Sequence, residues 1–326
     1  MIDNFFEQDV KLQTDSLTKF AHEILEKYGI SGADVECINF EFNATFSVST
    51  QSGQKYALRL NINSTRVASN ILAETQWVRE LERIPSINVP RPIASLMDTY
   101  LVSAIHADSG QEIFGVMYSW LEGEEVGDEP TLAQLHTVGQ AIALLHENSS
   151  NFLLTEGAVL PTFDDFFWGT EDFLFSGKSL LNPQDRKLIE QARDLIMKYT
   201  DELYRNSVVQ IIHADLHGWN LMWHEDQLYI FDFDDCGYGV EAQDIAVALY
   251  YLDTPEQESA LLDGYRSVRP LPIYSENAMK ALLLQRRLLL LNYLYETKNA
   301  EHKEMLPAYL EKTIERVSTF LTDVTQ

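Results

Sequence analysis

Residues 208–235, VVQIIHADLHGWNLMWHEDQLYIFDFDD, constrain this chain more than any other stretch. An apolar run over 208–212 is long enough for a buried strand and stops at His213. A polar loop follows, holding His213, Asp215, His217 and Asn220. A second apolar piece, Leu221-Met222-Trp223, turns at 224–227 into a third over 228–231, which ends on Asp232, Asp234 and Asp235. Ionisable groups gathered at strand ends mark places where a cation or a reacting group sits. The remaining chain can be read as scaffold for that cluster.

A chain of 326 residues exceeds what one core encloses, so two domains are expected, 1–121 and 122–326. The balance of 24 basic against 50 acidic residues, a net charge of −26, argues against nucleic acid or an acidic membrane as partner. It suits a cationic acceptor or, more simply, solubility. Cys37 and Cys236 form no disulfide framework and fit a reducing cytoplasm. Carboxylates beside Cys236 raise a thiol pKa, which makes it an inert side chain rather than a nucleophile. The opening MIDNFFEQDV has no apolar signal region, and the run over 281–295 is broken by Gln285, Arg286 and Arg287. A cytoplasmic protein without a membrane span is expected, and nothing in the sequence sets an oligomeric state.

Periodicity predicts a helix over 17–28, with Asp15 or Ser16 as cap and Gly29 as stop. Strands are predicted over 35–42, 45–50 and 55–60; on the third, Tyr56, Leu58 and Leu60 share a face opposite Lys55, Ala57 and Arg59. A helix over 69–82 has the inward stripe Ile71, Val78 and Leu81, and Glu74 falls within it. That carboxylate either pairs with Arg59 or snorkels to the surface. Two more strands, 99–104 and 112–120, complete a five-stranded antiparallel sheet with one inserted helix. Helical spacing then dominates: Pro130 suits the first turn of a helix through Leu132–Leu145, and others are predicted over 183–203, 255–268, 275–298 and 302–323. Asp244 is read as the cap of a helix over 245–251, and the aromatic loop over 163–168 as packing. The fold class is therefore α+β, with a β-rich N-terminal lobe and a mainly helical C-terminal lobe.

Three chemistries compete for the cluster. Phosphoryl transfer needs a carboxylate to take a hydroxyl proton, oxygen ligands for Mg²⁺ and a cation on the phosphates. Asp215 can be that base, with Asn220 and Asp232 as metal ligands; Asp234 would point the same way as Asp232 by strand alternation. A zinc or di-metal hydrolase could use His213, Asp215 and His217, but would leave the first lobe without a purpose. A polar loop whose side chains only cap helices is the third reading.

The string His213-Ala214-Asp215-Leu216-His217-Gly218-Trp219-Asn220, followed by Ile230-Phe231-Asp232-Phe233-Asp234-Asp235, resembles the aminoglycoside phosphotransferase and choline kinase superfamily, which shares the protein-kinase fold. FDFDDCGYG at 231–239 and DIA at 244–246 are most similar to its bacterial homoserine-kinase-like and stress-response-kinase branch, and weaker likeness extends through YALRL, AETQWVREL and YSWLEG. The resemblance implies a kinase-like bilobal fold and an ATP- and Mg²⁺-dependent phosphotransferase acting on a small-molecule hydroxyl: a metabolite, an amino alcohol or an aminoglycoside-like compound. It implies Asp215 as catalytic base with His213 orienting its loop, and Asn220 and Asp232 as Mg²⁺ ligands. Arg59 would contact ATP phosphates and pair with Glu74, Asn43 would lie in the turn over the phosphates, and Ser119 and Leu121 would offer backbone groups to adenine. Asp244 would cap its helix and steady the catalytic loop. Some positions depart from the pattern: residues 40–45 contain no glycine, the strand cation is arginine rather than lysine, and Asp232-Phe233-Asp234 replaces Asp-Phe-Gly. Only residues 233–243 separate Asp232 from Asp244, too few for a long activation segment, which favours a small acceptor over the rival reading of a bacterial Ser/Thr protein kinase. A nucleotide-binding pseudokinase is the remaining alternative.

Overall fold

The computed structural model describes residues 5–325. In chain order the first elements are α1 (Val10–Glu26), β1 (Asp34–Phe40), β2 (Asn43–Ser49), β3 (Lys55–Asn61), α2 (Ala68–Leu81), β4 (Val102–Ile105), β5 (Glu112–Ser119) and β6 (Glu124–Glu125). There follow α3 (Leu132–Ser149), α4 (Pro183–Asn206), β7 (Gln210–Ile212), β8 (Leu221–His224), β9 (Gln227–Ile230) and β10 (Gly237–Gly239). Helices α5 (Glu241–Tyr250), α6 (Pro255–Val268), α7 (Glu276–Glu296) and α8 (Ala300–Thr325) complete the chain. No helix among the described residues is long and apolar enough to cross a membrane.

The chain forms two units. One runs up to Glu124 and also takes in Leu154–Val159 and Met222–Asp234; the other holds Glu125–Leu153, Leu160–Leu221 and the residues from Asp235 onward. A single cut after residue 121 therefore does not describe it, because the β8–β9 hairpin packs with the first unit. Asn88 bridges to Tyr229, its amide donates to the Leu228 carbonyl at 3.0 Å, and the Trp77 and Phe233 rings meet edge to face at 5.5 Å.

In the first unit the five-stranded sheet has the order β1-β2-β3-β5-β4, antiparallel throughout. Strict alternation makes it one-sided: Ala44, Phe46 and Val48 of β2 and Leu58 and Leu60 of β3 are buried. Against them lie Leu17, Phe20, Ala21, Ile24 and Leu25 of α1, the larger of these side chains each worth about 1.5–3 kcal/mol of burial. Helix α1 starts well before the apolar stripe, because Asp9 caps it by accepting from the Lys11 N–H at 2.8 Å; Val10 and Leu12 are exposed and leave no periodic mark. The phosphate-covering turn expected over 40–45 is tighter than that. Phe40 pairs with Ala44, and Asn43 and Ala44 already belong to β2.

In the second unit α4, α7 and α8 share a core of Ile189, Ala192, Ile196, Leu284, Leu288, Leu291, Val317 and Phe320. Helices α3 and α6 cross in near-contact at two glycines: a Cβ on Gly139 would meet the Leu261 carbonyl at 1.9 Å, and one on Gly264 the His136 carbonyl at 1.9 Å. Thr131, not Pro130, marks the start of α3; its hydroxyl accepts from the Gln134 N–H at 3.2 Å in a capping box, which puts Pro130 one residue outside. Strand β10 was not visible from composition. Its Gly-Tyr-Gly pairs antiparallel with β7, and glycine is required because a Cβ on Gly237 would lie 2.3 Å from the Phe163 ring and one on Gly239 2.5 Å from Ile212.

Candidate active site

The loop after β7 is anchored from beneath. Asp244 accepts from the His213 N–H at 3.1 Å and the Ala214 N–H at 2.7 Å, and its Oδ2 lies 3.1 Å from His146 Nε2. His146 Nδ1 in turn meets the Tyr265 hydroxyl at 3.0 Å. Burial works to raise the Asp244 pKa, but His146, His213 and the Ala214 N–H outweigh it and hold the carboxyl below its ordinary value. Asp244 does not cap its helix: Val240 is the N-cap, and Asp244 sits inside the first turn of α5, fully buried, with its carboxylate turned to the loop. Those two N–H bonds hold Ala214 at φ 68°, a left-handed conformation costly for a non-glycine residue.

That kink presents Asp215. Its Oδ2 accepts from Asn220 Nδ2 at 3.1 Å, and the same amide nitrogen reaches the Asp215 carbonyl at 2.8 Å. His217 Nε2 lies 3.3 Å from Oδ2. Oδ1 forms an ion pair with Arg286 Nη2 from α7, and that nitrogen also donates to the Tyr251 hydroxyl at 2.7 Å. His213 is fully buried, and its Nδ1 accepts from the Asp215 N–H at 3.4 Å, so it braces the loop from inside. Burial would raise the Asp215 pKa; Arg286, His217 and His213 reverse that and hold it well below the usual carboxylate range. A base kept ionised, with its rotamer fixed from both sides, can receive a hydroxyl proton.

The first unit carries a second polar group. Arg59 of β3 is ion-paired with Glu74 of α2, whose Oε1 accepts from the Tyr118 hydroxyl at 2.8 Å. Glu74 is 3% exposed, so it pairs inward and does not snorkel. Arg59 Nη1 also lies 4.0 Å from Asp232 Oδ1, and burial, which opposes its charge, is outweighed by Glu74 and Tyr118. Asp232 is not on a strand. It lies beyond the end of β9 at φ 61°, so alternation does not carry over to Asp234. Asp234 instead accepts from Asn43 Nδ2 at 2.6 Å, while Asn43 Oδ1 is buried without a hydrogen-bond partner. The Ser119 N–H is committed to the Arg91 carbonyl at 2.8 Å, and Leu121 follows β5 half-buried in the link beyond.

In the second unit Asn220 commits its amide nitrogen to Asp215, which leaves the amide oxygen as its acceptor atom, and in the first unit Asp232 carries a carboxylate; each is a hard oxygen donor of the kind Mg²⁺ takes. Among the described residues no three His, Cys, Asp or Glu side chains converge as a metal cage, so the zinc arrangement of His213, Asp215 and His217 does not form. Arg286 and Tyr251 escaped the sequence reading. The available signal was the one that exposed Glu74, a charge inside an apolar helical run, here over 281–295.

The sequence pattern of the phosphotransferase enzyme family matches residues 41–274. Amicoumacin kinase of Bacillus subtilis (strain 168) is 27% identical over 233 residues, 70% of this chain, and the chain spans 66% of that relative's length, just under two thirds. Among solved structures, amicoumacin kinase hAmiN in complex with AMP-PNP, Ca²⁺ and Ami superposes with a TM-score of 0.73 at 21% identity, covering 93% of both chains. A microcompartment-associated aminopropanol kinase does so with a TM-score of 0.75 at 24% identity, covering 94% of this chain and 98% of that one. These likenesses establish a kinase-like fold. With more than two thirds of its length matched by the family pattern, the chain belongs to the phosphotransferase enzyme family.

Proposed function

We propose that the protein transfers the γ-phosphoryl group of ATP, with Mg²⁺, to a hydroxyl group of a small molecule. The observation that carries this reading is the Asp215–Asn220 loop, in which a half-buried carboxylate held in its ionised form is braced by an amide nitrogen whose partner oxygen can serve a cation. In the reaction Asp215 takes the acceptor's hydroxyl proton as that oxygen bonds to the γ-phosphorus, and the bond from phosphorus to the bridging oxygen breaks with release of ADP. Mg²⁺, when bound, neutralises charge on the phosphate oxygens. Arg59, held by Glu74, supplies a fixed positive charge for the nucleotide phosphates. Asn43 and Asp234 steady the hairpin that takes the place of a glycine-rich loop, and the segment around Ser119 and Leu121 serves the adenine.

A small acceptor is favoured because residues 233–243 leave no room for a regulated activation segment, and because the similar proteins are named for amicoumacin and aminopropanol. Both cysteines are free, which accords with a reducing cytoplasm. The test is an ADP-release screen over amino alcohols, hydroxylated metabolites, amicoumacin, aminoglycosides and a generic protein substrate, together with Mg·ADP thermal shifts. ADP release on a small alcohol with a raised Tm supports the proposal. No nucleotide-induced shift in Tm and no release above background would refute it.

A further inference from the structure

We infer that Arg286 is a positioning residue for the catalytic base, fixing the Asp215 carboxylate so that Oδ2, on the Asn220 side, is the oxygen that meets the acceptor hydroxyl. The inference rests on the phosphotransfer reading above. Two adjacent arginines of α7 make the case by contrast. Among the described residues the hydrogen-bond partners of Arg287 are neutral: the Thr313 hydroxyl at 2.9 Å, the Tyr250 hydroxyl at 3.2 Å and the Tyr309 carbonyl at 3.1 Å. It ties helices together, as a structural arginine does. Arg286, with a side chain only 11% exposed, spends its charge on the one carboxylate in its unit read as reactive.

The placement is made at a cost to Arg286 itself. Its Nε is buried with no hydrogen-bond partner, so the guanidinium is not placed where its own donors are all satisfied. Tyr251 holds it in place from a second side. Its hydroxyl accepts from Nη2 at 2.7 Å, the guanidinium carbon lies 5.6 Å from the ring centroid, and the same ring meets the His217 ring at 4.7 Å, tilted by 41°. Arg286, Tyr251 and His217 thus close a ring of contacts around Asp215, with His217 Nε2 3.3 Å from Oδ2. Asn220 and His217 both hold Oδ2; the ion pair at Oδ1 engages the second oxygen and so fixes the plane of the carboxylate, and orientation of a reacting group to within an ångström is worth about 100-fold in rate.

The test measures ADP release from Mg·ATP with 1-aminopropan-2-ol as acceptor, and with water alone as acceptor, in wild type, Arg286→Gln, Arg286→Lys and Tyr251→Phe. Arg286→Gln is expected to lower kcat about 100-fold with the KM for ATP unchanged, and added methylguanidine to restore part of the loss. Arg286→Lys keeps the charge but not the planar fork and should fall between; Tyr251→Phe should lose less, again in kcat alone. A Mg·ADP thermal shift equal to wild type shows that each variant is folded. If Arg286→Gln does not fold, the kcat-only loss in Tyr251→Phe and Arg286→Lys decides. Unchanged kcat, or kcat and KM worsening together without guanidinium rescue, overturns the inference and leaves the phosphotransfer reading standing, provided Asp215→Ala is inactive. If wild type releases no ADP with any acceptor of the panel above and shows no Mg·ADP shift in Tm, both readings fall.

Discussion

At the scale of single residues, buried charges decide what this chain can do. Glu74 and Arg59 illustrate the cost: with side-chain exposures of 4% and 10%, neither can lose its partner cheaply. Glu74→Gln should therefore destabilise the protein by about 3–5 kcal/mol, read as a lower urea midpoint, and should raise the KM for ATP by freeing Arg59 from its fixed position. Asp215→Asn keeps the shape and the Asn220 contact but cannot take a proton. Turnover should fall about 10²–10⁴-fold while the Mg·ADP thermal shift persists; wild-type turnover would remove Asp215 from its role. Much of this was legible. Glu74 declared itself by falling on an apolar stripe, and Asp215 and Asn220 by their spacing on one loop. Arg286 was not paired with Asp215 in advance, because 71 residues separate them and nothing local links a helix charge to a distant loop.

Among the elements, the least visible from sequence are those whose glycines serve close approach. Gly139 and Gly264 let α3 and α6 touch backbone to backbone. Gly264→Ala places a methyl against the His136 carbonyl and should cost at least about 1–3 kcal/mol, measured by urea unfolding. The same logic hid β10, whose Gly-Tyr-Gly carries no strand pattern until Phe163 and Ile212 are known to lie over it. Helix α5 matters through Asp244, which clamps the loop backbone at His213 and Ala214. Its folded pKa is depressed, so its stabilisation is fully present above about pH 4, the ordinary aspartate value, and is lost as pH falls through the lower folded value. Asp244→Asn should accordingly lower stability near neutrality, and its deficit against wild type should shrink on acidification below about pH 4. A deficit constant with pH would show that the carboxylate charge is not what holds the loop.

On the scale of the whole molecule, a net charge of −26 repels itself. Raising ionic strength from about 10 mM to about 150 mM shortens the screening length from about 30 Å to about 8 Å, and Tm should rise over that interval. A falling Tm would mean that ion pairs such as Arg59–Glu74 and Arg286–Asp215 outweigh the repulsion. What the sequence by itself determined is the order of the main strands and helices and the place of the Asp215–Asn220 loop, because alternation, helical spacing and a loop motif are all written within a few residues of one another. What only the tertiary structure decided is how those pieces are held: Asp244 as a clamp rather than a cap, Asp234 turned to Asn43, Arg286 brought onto Asp215. Each depends on a left-handed kink or a contact between distant segments, and such contacts leave no periodic trace along the chain.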